Sequence, residues 1–231
     1  LALGKKSLGI EKKKIKVSEK QAAASVGQVL LINAWKKAFL KYKKQCGQIL
    51  LTHLDAEVRS SAINARNTIE SLLKLNSIPI INENDSVATQ ELRYGDNDQL
   101  AARVAQITSS DLLILLSDVN GLYTSNPKKD NNAKLVKYIK KITKTIEKSS
   151  ENTSSSIAVG GMYTKIKAAK IALSSGCNMF ITRGNKNSPI SSIAEKGKFS
   201  LFLTTTSPKT ARKKWISSQM KVKGKIIIDQ G

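Results

Sequence analysis

Five of the chain's 17 acids, Glu83, Asp85, Glu91, Asp96 and Asp98, fall within sixteen residues. They alternate with carboxamides in Asn82-Glu83-Asn84-Asp85 and again in Gly95-Asp96-Asn97-Asp98. Carboxylates accept hydrogen bonds from an ammonium group or hold a cation, and asparagine amides donate to a carboxylate. Together these side chains can recognise both ends of an amino acid. The same residue types also build turns, and Asp96 can simply cap a following helix. A second group is Ser117-Asp118, directly after the apolar run Asp111 to Leu116. An aspartate at a strand end can bind a nucleotide or its metal, while the Asn120-Gly121 that follows equally marks a hairpin turn. The third group is Gly160-Gly161-Met162-Tyr163-Thr164-Lys165, leading into a helical pattern. Tandem glycines let backbone N–H groups approach phosphate oxygens, and a helix N-terminus adds its positive dipole. Lys165, in the first turn, carries a full positive charge to the same place. This is neither GxxxxGK[ST] nor GxGxxG. The combination with an acidic strand end and a Ser-Asp strand end points to phosphoryl transfer, where catalysis is mostly positioning and charge neutralisation.

Other chemistries find less support. His53 is the only histidine, so a multi-histidine metal site is excluded, and no GxSxG is present. His53 reads as a loop residue after a strand. Cys46 and Cys177 lie 131 positions apart in apolar contexts and read as core thiols, with no disulfide framework or zinc spacing. Trp35 and Trp215 read as packing residues.

The elements that must position these groups alternate between strand and helix. Ser18 to Tyr42 predicts a long helix with a Ser18/Gln21 capping box and Val29, Ile32, Trp35, Phe39 and Leu40 at helical spacing. Gly47–Thr52 reads as a strand, Ser60–Leu75 as a helix and Ile78–Ile81 as a strand. Asp96–Ser109 reads as a helix with Leu100, Val104 and Ile107 on one face, and Asp111–Leu116 as a fully apolar strand. Lys134–Ile146 is only partly periodic, and Ser149–Gly161 is a polar loop. Tyr163–Ser174 is a helix stopped by Gly176. Asn178–Thr182, Ser200–Thr204 and Lys225–Asp229 complete the strands. The expected fold is α/β, a three-layer αβα sandwich around a largely parallel sheet buried on both faces. Ligands of such sheets bind at the carboxyl ends of the strands, where the acidic and Ser-Asp groups fall.

The 231 residues are 40% hydrophobic and 24% charged, enough apolar material for a core. No run reaches the roughly 18 apolar residues of a membrane helix, and the first residues lack a signal-peptide pattern. A cytoplasmic protein is expected. The net charge of +22 would ordinarily suggest a polyanionic partner. However, only 6 of the 39 cations are arginines, and aromatics total 5% with no interleaved stacking pattern. A solvated lysine-rich surface is the favoured reading, with nucleic acid as the less favoured one.

At the same residues the sequence resembles the glutamate 5-kinases, a branch of the amino acid kinase family. The resemblance rests on IPIINENDSVATQEL (Ile78–Leu92), YGDNDQLAA (Tyr94–Ala102), LLILLSDVNGLYTSNP (Leu112–Pro127), GGMYTKIKAAKIALSSG (Gly160–Gly176) and ARKKWI (Ala211–Ile216). EKQAAASVGQ and INARNTIESLL fit as well, and the likeness is collinear over nearly the whole chain. It implies ATP-dependent phosphorylation of the γ-carboxylate of L-glutamate with Mg2+. By position, Asn82, Asp85, Asp96 and Asn97 would hold glutamate, and Asp98 would orient the catalytic lysines. Ser117, Asp118 and the stretch Val159, Gly160, Gly161, Met162, Tyr163, Thr164 and Lys165 would bind ATP. Lys165 would also stabilise the transferring phosphoryl group. Val159 and Ser117 stand where the family usually has threonine. The resemblance further implies a homo-oligomer. It also implies one kinase domain over 1–231, incomplete at both termini because the family begins with a lysine-bearing strand and a Gly/Ser loop, and without the PUA domain that many members add. A catalytically impaired remnant that binds polyanions, and an amino acid kinase with another acceptor, are the alternatives.

Overall fold

The computed structural model describes residues 1–10, 15–87, 97–127, 129–151, 161–185, 187–195, 197–207 and 210–211. The chain runs α1 (Ala2–Ser7), α2 (Val17–Leu40), β1 (Gln45–Leu51), α3 (His53–Glu57), α4 (Arg59–Lys74), β2 (Ser77–Glu83), α5 (Asn97–Thr108) and β3 (Leu112–Ser117). It continues through β4 (Tyr138–Ile139), α6 (Lys144–Glu151), α7 (Met162–Ser174), β5 (Asn178–Arg183), α8 (Pro189–Ala194) and β6 (Phe199–Phe202). The α/β alternation is the expected one, and every predicted element within the described residues is present with ends shifted by a few residues. The predicted strand Lys225–Asp229 lies outside the described residues.

Side-chain alternation shows how the layers form. In β1, Gly47, Ile49 and Leu51 face α4 and α5: a Cβ on Gly47 would stand 2.8 Å from Leu72 of α4. Leu51 is buried with Ala56, Ala62, Ala65, Leu100 and Ile107. Gln48 points the other way, its amide donating to Gln28 of α2 at 3.1 Å. Helices therefore cover both faces of β1–β2. The second core joins α5, α7 and the remaining strands: Ala102 and Ala105 meet Ile166, Ala168, Ala169 and Ala172, over Leu115, Met179, Ile181 and Phe202.

Among the described residues the strands form two sheets rather than one. β1 and β2 pair in parallel, and the other sheet has the order β3-β5-β6-β4. Its β3/β5 and β4/β6 pairs are parallel, and β5/β6 is antiparallel. The edge of β3 away from β5 opens on a cleft of about 360 Å³ lined by Ile81 and Asn82 of β2, by Leu112 and Leu113, and by Leu100, Ala101 and Val104 of α5. α5 thus floors a gap between the two sheets. This explains a departure from the sequence reading. The apolar run of β3 is not buried on both faces, because Leu112 and Leu116 are 46% and 50% exposed at a sheet edge.

Three local expectations also change. α2 is capped by Glu19, whose carboxylate accepts from the Lys16 N–H at 2.6 Å, rather than by Ser18 with Gln21. Its buried face is the small-residue set Ala23, Ala24 and Gly27, while Val29, Leu30, Trp35 and Leu40 are exposed. Trp35 instead stacks on Phe39 of its own helix, ring centroids 5.6 Å apart. His53 opens the short helix α3 rather than lying in a loop. The predicted stop at Gly176 is realised: Gly176 has φ +80°, its N–H donates to Leu173, and the Cys177 N–H donates to Ala172. That is a Schellman closure, which needs a left-handed residue at this position.

Candidate active site

Each crossover helix fixes where its first turn lies. α5 leads into β3 and α7 leads into β5, so both N-termini sit at the edge where β3 and β5 end. The first turn of α5 carries Asn97 and Asp98, that of α7 carries Met162 to Lys165, and the strand ends carry Ser117-Asp118 and Arg183-Gly184. The small alanines between α5 and α7 allow the two helices to approach closely, which brings residues 67 positions apart into contact.

The Lys165 Nζ donates to Asp98 Oδ2 at 2.9 Å. Lys165 is 6% exposed, a charged side chain in a largely buried position. A lysine is seldom buried unless paired, and the Asp98 carboxylate supplies that partner. The Thr164 hydroxyl lies 3.5 Å from the same carboxylate oxygen and donates to the Gly161 carbonyl at 2.7 Å, tying the N-cap to the first turn. α7 has no side chain capping its N-terminus, and a Cβ at Gly161 would meet nothing within 4 Å. Among the described residues, the first N–H groups of this helix thus have no side-chain cap, the backbone donors that an anion at a helix start would use. Tyr163 lies under Lys167, whose Nζ is 4.3 Å from the ring centroid.

On the acidic side, Asn82 at the end of β2 and Asn97 at the start of α5 line the same cleft. Asp85 lies half-buried in the turn that follows β2, where the Asn84 N–H donates to the Leu51 carbonyl. Asp96, Val159 and Gly160 lie outside the described residues. At the end of β3, the Ser117 hydroxyl donates to Asp118 Oδ1 at 3.0 Å, and Asp118 is exposed. The structure thus brings Asp98, Thr164 and Lys165 into direct contact. It places Asn82 with Asn97 in one cleft and Ser117-Asp118 on the same sheet edge.

Two residues of this region escaped the sequence reading. Ser200, on β6, is fully buried; its Oγ accepts from the Leu122 N–H at 2.8 Å and donates to the Val136 carbonyl at 2.6 Å. It anchors the loop that leaves Ser117-Asp118, and Gly121 in that loop has φ +154° with no room for a Cβ, which would stand 2.3 Å from the Ser200 Oγ. No spacing in the sequence connects positions 78 apart. Arg183, the last residue of β5, was legible in principle, since it stands at a strand's carboxyl end like Asn82 and Ser117.

A model of the amino acid kinase family matches residues 2–183. The chain is 52% identical over all 231 residues to a glutamate 5-kinase of Pelagibacter ubique strain HTCC1062, covering 63% of that relative. It is 46% identical over the same span to a glutamate 5-kinase of Paramagnetospirillum magneticum, covering 62% of it. The chain therefore spans about three-fifths of the length of these curated relatives. Among solved structures, carbamate kinase from Giardia lamblia bound to AMP-PNP aligns over 87% of this chain and 78% of its own, with TM-score 0.56 and 14% identity. A T. acidophilum isopentenyl phosphate kinase product complex aligns over the same shares with TM-score 0.52 and 14% identity. The fold is shared with both. By its family match over residues 2–183 and its near-half identity to curated members along the whole chain, the protein belongs to the amino acid kinase family.

Proposed function

We propose that the protein transfers the γ-phosphoryl group of ATP to the γ-carboxylate of L-glutamate, the first step of proline synthesis. The observation that carries this reading is the Lys165–Asp98 ion pair at the carboxyl edge of the strands, in the first turn of α7, whose N-terminus has no side-chain cap among the described residues. A cation held by a carboxylate at a helix N-terminus suits a phosphoryl group in flight, where charge accumulates on non-bridging oxygens.

In this reading the glutamate ammonium is held by Asp85 and Asp96, and its α-carboxylate receives hydrogen bonds from Asn82 and Asn97. Ser117, Asp118 and the Val159, Gly160, Gly161, Met162, Tyr163, Thr164 stretch hold ATP. One oxygen of the acceptor carboxylate forms a bond to the γ-phosphorus while the bond to the bridging oxygen breaks and its electron pair leaves with ADP. A glutamate side chain titrates near pH 4.3 and is already ionised at neutral pH, so the step needs no general base. Lys165 neutralises the transferring group, and Asp98 fixes the ammonium that does so. Among the described residues no group of three or more His, Cys, Asp or Glu could hold a metal. Asp98 is engaged by Lys165, and Asp118, exposed at the end of β3, is the carboxylate that would help hold Mg2+, which would supply further positive charge there. The proposal includes a cytoplasmic setting and a homo-oligomer. Among the described residues no helix is long and apolar enough to cross a membrane, and the exposed Val29, Leu30 and Leu40 of α2 leave apolar surface for self-association.

An acceptor panel tests the assignment. ADP release should depend on L-glutamate and be at least about tenfold slower with L-aspartate, whose carboxylate is one methylene short, a difference worth ~1–3 kcal/mol. Release driven equally by aspartate, carbamate or a nucleoside monophosphate would assign a different acceptor.

A further inference from the structure

The buried Nε of Arg183 makes no hydrogen bond, the one such side-chain nitrogen or oxygen among the described residues. A guanidinium is always charged and carries five N–H donors, so leaving a buried one unmade is costly and calls for an explanation. Its position supplies one. Ser117 and Arg183 are partners in the parallel β3/β5 register, so both side chains project from the same face of the sheet. The residues two and four positions back on that face, Leu115 with Ile181 and Leu113 with Met179, pack under α5 and α7. Arg183 therefore ends the row whose helices present Asp98 and Lys165 at their first turns. The Gly184 N–H donates to the Ser117 carbonyl at 2.8 Å, and a Cβ at Gly184 would stand 2.8 Å from Leu116, so the two strand ends are locked together and the backbone that carries the half-buried Arg183 is held in place.

We propose that Arg183 is a phosphate-contacting residue of this site, its guanidinium receiving polyphosphate oxygens of the nucleotide. The inference rests on the kinase reading above and adds a second cation to Lys165. Lys165 is already satisfied by Asp98, whereas the Arg183 Nε awaits an acceptor. A planar guanidinium suits the paired oxygens of a phosphate better than an ammonium does. The ligand class is a nucleoside triphosphate bound through its phosphates, not its base.

Isothermal titration of the protein with ATP and with inorganic tripolyphosphate tests this, using wild type, Arg183→Met, Arg183→Lys and Lys165→Ala, each with a melting curve in the absence of ligand. Arg183→Met is expected to weaken both ligands by about tenfold or more, the loss of a charge-assisted hydrogen bond. The melting temperature should stay within a few degrees of wild type, and Arg183→Lys should recover part of the affinity. If Arg183→Met binds both as wild type does while Lys165→Ala does not, the Arg183 assignment fails and the kinase reading stands. If affinity falls only in step with the melting temperature and Arg183→Lys restores neither, Arg183 is a packing residue and the assignment again fails. If wild type binds neither ligand, both readings fall together.

Discussion

Lys165 and Asp98 meet at 2.9 Å in a site that leaves Lys165 almost no exposure, so the buried ammonium lies against an opposite charge. Replacing Lys165 with Ala removes the cation from the phosphoryl side and leaves a half-enclosed carboxylate. Turnover should fall by about 10²–10³-fold, as when a preorganised charge-stabilising donor is deleted, with ADP release as the readout. Asp98→Asn keeps the size but loses the charge that fixes Nζ, and should cost less turnover than Lys165→Ala. The motifs carrying these two residues were legible because both stand in first turns after loop signals. Their contact was not readable from spacing, since no pattern links positions 98 and 165; only the family resemblance implied that Asp98 orients the lysine. Cys177 offers a separate check. Burial, and then the neighbouring Asp111 carboxylate, push its thiol up to about 11. The unfolded thiol ionises near 9.0, below the folded one, so its contribution to stability is full below pH 9 and is lost as pH rises from 9 towards 11. Melting temperatures should therefore fall more steeply over that window in wild type than in Cys177→Ala. The buried thiol should also resist alkylation at pH 8 until the protein unfolds.

α5 does two jobs with two faces. Leu100 and Ile107 pack with α3, α4 and β1, while Ala102 and Ala105 meet the alanines of α7. The first stripe was visible in the sequence at helical spacing. The second was not, because alanine is compatible with exposed and buried positions alike and carries little periodic signal. Ala102 is fully buried. Ala102→Leu should wedge α5 from α7 and cost about 1–3 kcal/mol of stability. It should also lower turnover by lengthening the Asp98–Lys165 contact, read out as a loss of kcat beyond the loss of folded protein. The same blindness explains α2, whose apolar residues at helical spacing point to a buried face while Ala23, Ala24 and Gly27 do the packing. β3 failed for a different reason. Its composition is that of a central strand, and only the tertiary arrangement reveals that one of its edges opens on a cleft.

At the scale of the whole molecule, among the described residues β3 pairs with β5 alone and its other edge, beside exposed Leu112 and Leu116, faces the gap between the β1–β2 pair and the four-stranded sheet. An exposed apolar edge strand is a template for association. The 231-residue chain should therefore scatter light and lose soluble protein on concentration. Leu112→Lys should reduce this, because a charge on an edge opposes edge-to-edge pairing. The lysines offer a contrast: Lys36, Lys37, Lys41, Lys43 and Lys44 are all exposed around the end of α2, the solvated surface expected from a lysine-rich composition. The α/β alternation, the helix stops and the strand-end motifs were thus readable locally. The gap between the sheets depends on which strands become neighbours and was not.

The most direct test of the account is acyl phosphate formation. With ATP, Mg2+ and L-glutamate, hydroxylamine should trap γ-glutamyl hydroxamate in wild type and not in Lys165→Ala, measured on this chain and on a polypeptide spanning the full length of its curated relatives. Activity in the longer form that depends on both glutamate and Lys165 is the predicted result. Hydroxamate that persists undiminished in Lys165→Ala, or its absence from both wild-type forms, would contradict the assignment of a glutamate-phosphorylating site at the Lys165–Asp98 pair.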